Sequence, residues 1–210
     1  MFKDVFPEEQ SQNLEILVKK RVISGFYLAG GTGASLQLGH RISFDLDLFT
    51  NKPFNCDTIL RKLKEIGDFS LDIKDEETII GLFKGTRISL FKYPYPLLFP
   101  QEEFRGIKVA SLEDIGCMKL DAVSSRGTKR DFIDLYFILK ERIKLDEAIE
   151  LFKKKYKGID YNIVHILKSL VYFEDAEKEP MPMMLKDINW KDIKSFFKEK
   201  VRVYFNEGRE

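Results

Sequence analysis

A glycine corner followed closely by an alternating segment sets the tightest limit on what this chain can fold into. Gly30-Gly31-Thr32 allows turns and close backbone approaches that a Cβ resists. Ser43 to Phe49 then alternates, with Ser43, Asp45 and Asp47 on one side and Phe44, Leu46 and Leu48 on the other. That is the period of a strand with one buried face. Same-face neighbours on a strand lie about 6.5–7 Å apart at Cα. The two carboxylates can therefore converge on one point, where they repel each other unless a cation sits between them. A hard divalent ion such as Mg2+ (or Mn2+) takes oxygen ligands and is held by one or two carboxylates plus substrate phosphates. The glycines upstream leave room for phosphate to approach the backbone.

The surrounding pattern supplies a scaffold for that corner. Glu8 to Ser24 reads as an amphipathic helix ended by Gly25, and Phe26 to Ala29 as a short strand running into the corner. Thr32 to Leu38 reads as a short helix whose N-terminal N–H groups favour phosphate. Cys56 to Ile66 carries an apolar helical stripe. Phe69–Ile73, Thr78–Phe83 and Arg87–Phe91 read as strands, with Gly85 marking a hairpin. Tyr93-Pro94-Tyr95-Pro96 stops strand structure, because proline lacks the ladder donor. After Ser111, a cap-like start with Asp114, the period becomes helical: a first stripe of Leu112, Ile115, Ala122 and Val123, then helices over about 128–141, 146–156, 161–172 and 191–205. The expectation is an α+β fold: a mixed sheet flanked by helices over residues 1–110, then a helical half over 111–210, with a cleft between them.

Several charged residues fall where a soluble core would not ask for them. Lys119 lies inside the apolar stripe of its helix, with Arg126 further along the same side. Long basic side chains can snorkel from such a stripe, but two on one inward face are better explained by a cleft that holds anions. Asp131 and Asp134 share one side of the next helix and repel unless a cation or basic partner intervenes. Arg41 and Ser43 flank the carboxylates, where they can bind phosphate or serve a structural pair. Lys153-Lys154-Lys155 reads as a solvated face, with contact to an RNA backbone as the alternative. His40 and His165 make no ligand spacing with cysteine. Tyr93 and Tyr95 read as packing residues, with base stacking as the alternative.

Two blocks, Gly30-Gly31-Thr32 through Arg41, Ser43, Asp45 and Asp47, and Met118-Lys119-Leu120-Asp121-Ala122 through Arg126 to Asp131 and Asp134, resemble the AbiEii/AbiGii toxin family of nucleotidyltransferases. That family lies within the superfamily related to DNA polymerase beta. The resemblance implies a nucleotidyltransferase that moves an NMP from an NTP to an acceptor hydroxyl, the tRNA 3′ end in some members, with a cognate antitoxin as partner. It implies Asp45 and Asp47 as metal ligands, and Asp45, Asp47, Lys119, Asp131 and Asp134 as catalytic residues. Gly30, Gly31, Thr32, Arg41, Ser43, Lys119 and Arg126 would contact nucleotide. The superfamily's third carboxylate, on a neighbouring strand, is missing from Thr86–Lys92. A nucleotide-binding module of the same fold with weak turnover therefore stays open, as does a metal-dependent nuclease.

Composition narrows the setting. Of 210 residues, 44% are hydrophobic, and the formal net charge is +1, so any nucleic-acid surface must be local. No apolar run reaches the ~18–20 residues of a membrane span, and Met1 to Gln10 does not resemble a signal peptide. The isolated cysteines, Cys56 and Cys117, fit reduced thiols in a cytoplasmic protein.

Overall fold

The computed structural model describes residues 1–207, so the last three residues of the expected helical half lie outside the description. Helix α1 (Glu8–Lys19) stops short of Ser24. Arg21 adopts φ 54°, and the Arg21 and Val22 amides turn back to the Val18 and Leu17 carbonyls. This is a left-handed C-terminal lock that needs no glycine. Strand β1 (Tyr27–Leu28) leads into α2 (Gly30–Leu38), which begins at the glycine corner itself rather than at Thr32. Strand β2 (Leu46–Thr50), α3 (Cys56–Ile66), β3 (Phe69–Asp75), β4 (Thr78–Phe83) and β5 (Thr86–Lys92) follow. Lys84 and Gly85, both at positive φ, make the two-residue turn whose twist suits a β4–β5 hairpin.

A second hairpin, β6 (Glu102–Phe104) and β7 (Ile107–Val109), escaped the sequence reading. Its strands are too short to show a period, and only Gly106 at its turn marks it. The strands form one seven-stranded sheet in the order β3-β4-β5-β2-β1-β7-β6. Strand β2 is antiparallel to β1 and parallel to β5. The helical stretch comprises α4 (Leu112–Ser125), α5 (Lys129–Glu141), α6 (Leu145–Lys155), α7 (Ile163–Ser169), α8 (Glu174–Glu177) and α9 (Trp190–Asn206). Helix α7 is shorter than the expected 161–172. No helix among the described residues is long and apolar enough to cross a membrane.

The two sides of the sheet bury different things. Leu46 and Leu48 join Leu28, Ile88 and Leu90 under α1 and α3, where Leu14, Leu17, Leu60 and Leu63 close one core. Ala29, Ala34 and Leu38 instead join the large core of α4, α5, α6 and α9. Helix α2 thus belongs to both halves, which fixes the glycine corner against the helical stretch. The alternation in Ser43–Phe49 holds only from Asp45 onward. Phe44 is 47% exposed and Ser43 is buried, because residues 42–45 are not a strand. Their backbone is tied elsewhere: the Ser43 amide donates to the Val5 carbonyl and the Ile42 amide to the Met183 carbonyl.

Candidate active site

A cleft of about 540 Å³ opens between the sheet and α4–α5, bounded by Gly30, Asp45 and Asp47 on one wall and Lys119, Arg126 and Asp131 on the other. Each wall has a local cause. Alternation in β2 turns Leu46 and Leu48 into the core and leaves Asp47 and Phe49 facing the cleft. Helix α2 opens on Ala29 with no side-chain cap, and its first intrahelical bond runs from the Gly33 amide to the Ala29 carbonyl. The amides at the corner therefore have no helical partner, and two of their glycines line the cleft. Gly30 is needed twice over. Its φ is +59°, and a Cβ there would stand 2.7 Å from Asp47 Oδ2.

Burial first, and then the Asp45 carboxylate, push the Asp47 carboxyl above its ordinary value; Lys119, Arg126 and the Ser89 hydroxyl pull the other way. Ser89 is the register partner of Asp47 on β5. The strand expected to carry a third carboxylate thus offers a hydroxyl at this register. Among the described residues no three His, Cys, Asp or Glu side chains form a metal-binding cluster. The donors present, two carboxylates whose mutual repulsion asks for positive charge, fit a hard divalent cation by their chemistry. The Arg130 guanidinium, 3.5 Å from Asp45 Oδ2, approaches the same carboxylate.

Of Thr32 and Ser43, both expected to touch phosphate, Ser43 lines the cleft and Thr32 does not, and both also hold local structure. The Thr32 hydroxyl donates to the Asp45 carbonyl and lies 2.8 Å from Ser43 Oγ. Both residues are buried. Together they clip the irregular stretch before β2 onto the first turn of α2, and so set where Asp45 begins.

A buried ionic node forms part of the cleft wall, with Arg41, Lys119 and Asp131 lining the cleft and Asp134 and His40 beneath them. Lys119 Nζ sits 2.8 Å from Asp131 Oδ1 and 2.7 Å from Asp134 Oδ2. Arg41 reaches Asp134 from the other side, and the His40 Nε2–H donates to Asp134 Oδ1 at 2.8 Å. Asp131 accepts further from Arg126 Nε at 2.8 Å and Thr128 Oγ1 at 2.6 Å. Burial alone would raise both carboxyls and lower the lysine. Lys119, Arg41 and Arg126 instead hold Asp131 and Asp134 well below the usual carboxylate range. The two aspartates in turn keep Lys119 above its ordinary value. Asp131 and Asp134 thus face cations rather than Asp45 and Asp47. His40, given no role from spacing, is a member of this node; a lone histidine after a helix-ending glycine carries no signal of it.

Two other readings change. Lys155 is not solvated: it is fully buried, 2.7 Å from Asp114 Oδ1 and 2.7 Å from the Pro96 carbonyl. Asp114 also accepts from the Leu98 and Phe99 amides, so this pair pins the Pro-rich loop. Tyr93 and Tyr95 pack against Tyr156, and Tyr93 also borders the cleft. Cys56 and Cys117 are free thiols.

The family described as nucleotidyl transferase AbiEii toxin, of a type IV toxin–antitoxin system, matches residues 85–205. An uncharacterized protein of Aquifex aeolicus is 41% identical over 204 residues, covering 94% of this chain and 96% of that protein. The crystal structure of JHP933 from Helicobacter pylori is similar with a TM-score of 0.56 at 15% identity, over 99% of this chain and 94% of that one. A candidate nucleotidyltransferase of the same organism matches with a TM-score of 0.56 at 18% identity, over 96% and 97%. These two structures share the fold.

Proposed function

The chain belongs to the AbiEii nucleotidyltransferase toxin family, and from that premise we propose that it attaches an NMP to an acceptor hydroxyl on RNA, such as a tRNA 3′ end. The acceptor oxygen bonds to the α-phosphorus, the bond to the β-phosphate oxygen breaks, and pyrophosphate leaves with the displaced electron pair. The observation that carries this reading is Asp45 and Asp47 on one cleft wall, beside the uncapped start of α2 and opposite basic side chains. Asp45 and Asp47 would hold Mg2+ (or Mn2+), which when bound neutralises triphosphate charge and polarises the α-phosphate.

This chain's own groups do the rest by position and electrostatics. The corner amides of Gly30 and Gly31 take phosphate oxygens at the positive end of α2. Arg126, held on Asp131 and 64% exposed at its side chain, presents its guanidinium to the cleft. Lys119 and Arg41 supply fixed positive potential from the cleft wall. Asp131 and Asp134 position those cations; with donors on both oxygens, they leave the acceptor's proton to the Asp45–Asp47 side. Thr32 and Ser43 position Asp45. The division at residue 110 belongs to the same reading, with α2 as the shared wall. A cognate antitoxin is the expected protein partner.

The test is incubation with each α-labelled NTP and total RNA. Wild type labels a small RNA and releases pyrophosphate, while Asp47→Ala and Lys119→Ala do not. Equal labelling by Asp47→Ala removes the metal-site argument, and RNA cleavage without NTP points to a nuclease instead.

A further inference from the structure

The end of α4 separates the cleft from a second, smaller hollow of about 370 Å³, lined by Ser125, Arg126, His165, Lys168, Tyr172 and Asp175. Ser125 and Arg126 border both spaces, so a chain running past Arg126 passes from one into the other. We propose that this hollow seats the acceptor strand as single-stranded RNA, holding the nucleotide that precedes the reacting end. The proposal rests on the reading of the cleft as the transfer centre.

The lining has the chemistry of a nucleotide seat. His165 and Lys168 are three residues apart on α7 and so share one side of it. Among the described residues neither side chain has a hydrogen bond or ion pair; the bonds recorded at His165 are those of its backbone. The acidic neighbours are already engaged. Asp175 is paired with Lys178 at 3.1 Å, and Glu174 accepts from the Tyr172 hydroxyl at 3.0 Å. Lys168 is therefore an uncommitted cation beside an uncommitted imidazole, which suits a phosphodiester.

The Tyr172 hydroxyl is tethered to Glu174, yet the residue is 54% exposed. An exposed aromatic face beside a cation is how single-stranded nucleic acid is bound, base on ring and phosphate on charge. The Ser124 and Ser125 hydroxyls donate to carbonyls of their own helix. That leaves their oxygens free to accept from a ribose hydroxyl, the group that separates RNA from DNA.

The test uses the full chain and a fluorescent single-stranded oligoribonucleotide, with binding read by anisotropy over a salt series without NTP. Lys168→Ala should weaken binding several-fold and make the log–log salt slope shallower by about 0.7, the share of one phosphate contact on a single strand. Tyr172→Ala should weaken it about tenfold, near the low end for one base–aromatic stack. Lys168→Arg should restore most of the affinity, and NTP affinity should not move in any of these variants. The matching deoxyribo-oligonucleotide should bind more weakly than the RNA.

Unchanged RNA affinity and slope in both alanine variants overturns the proposal, as does failure of wild type to bind the RNA or equal binding of the DNA. Because binding needs no turnover, the two readings separate. Wild type that binds RNA through Lys168 but transfers nothing sinks the transfer reading and keeps the seat. Normal transfer with unmoved variants does the reverse.

Discussion

The Arg41 guanidinium grips both oxygens of Asp134, with Nε 2.7 Å from Oδ1 and Nη2 2.9 Å from Oδ2. Arg41 follows the glycine-corner helix and Asp134 belongs to α5, 93 positions apart in the chain. Such a fork is planar and two-pointed, so it fixes orientation as well as distance. The same carboxylate carries Lys119 and His40, making Asp134 the joint where the glycine-corner segment and the helical half are registered.

Deleting that carboxylate should be costly. Asp134→Ala leaves Arg41 and Lys119 buried with one partner fewer, and breaking a buried pair in this way costs about 3–5 kcal/mol. Arg126→Ala removes a largely exposed partner of Asp131 and should cost under about 1 kcal/mol. Urea titrations of the two variants decide the matter. A loss below about 1 kcal/mol for Asp134→Ala would mean the node does not hold the halves together.

Stability should fall in two steps as pH drops. Burial, helped by Arg41 and Lys119, holds His40 below its ordinary 6.5 even though Asp134 raises it. Its Nδ1 is buried without a partner, as expected of a neutral ring that donates from Nε2. The unfolded histidine gains a proton through pH 6.5 and the folded one only at lower pH, so this contribution is full above 6.5 and is lost as pH falls below it. Asp131 and Asp134 are depressed too, and their contribution is full above the ordinary carboxylate value of 3.8 and lost as pH falls past it. Urea midpoints from about pH 8 to 2 should show a first decline below about 6.5 and a second below 3.8. The first decline should vanish in His40→Gln, with the steeper acid step remaining.

Gly30→Ala tests the corner. An alanine at φ +59° carries a left-handed backbone penalty of about 1–2 kcal/mol, and its methyl would collide with Asp47 Oδ2. We expect a folded protein with modestly reduced stability and transfer lowered at least about 100-fold, the scale seen when one transition-state contact is lost. Stability within error of wild type together with full transfer would show that the corner tolerates a side chain.

Lys155→Met should loosen the Pro-rich loop without touching the cleft's charges. It leaves Asp114 buried without its ammonium partner at 2.7 Å, and a loss of about 3–5 kcal/mol is expected. Limited proteolysis should then cut within 94–100 faster than in wild type. Unchanged cleavage there would locate the loop's restraint elsewhere.

Strong periods in the sequence specify their elements directly. Cys56–Ile66 and Thr78–Phe83 fall at their expected bounds, because an apolar helical stripe and a strand ending at a glycine turn are each self-sufficient signals. Asp47 faces its cleft because β2 alternates. Phe44 broke the pattern because its neighbours bond to Val5 and Met183, partners that no local period reveals. The same holds for the site. Lys119 stood out as a charge inside an apolar stripe, but the spacing of Asp131 and Asp134 called for a cation or basic partner without naming Lys119 as it. Whether a carboxylate awaits a metal or already holds a lysine depends on distances across the fold. Lys155 hid among its neighbours in a lysine run for that reason.

The backbone around Arg41 is stitched to a segment very late in the chain. Arg41 bridges Met184 in antiparallel fashion, and the Leu185 and Lys186 amides donate to the His40 carbonyl. A ribosome that has finished the glycine corner, both aspartates and even Lys119 has still not released the residues that seat Arg41. For a chain belonging to a toxin family this is a built-in delay: while the polypeptide is being made, the arginine's seat stays unfinished until residue 186 has emerged.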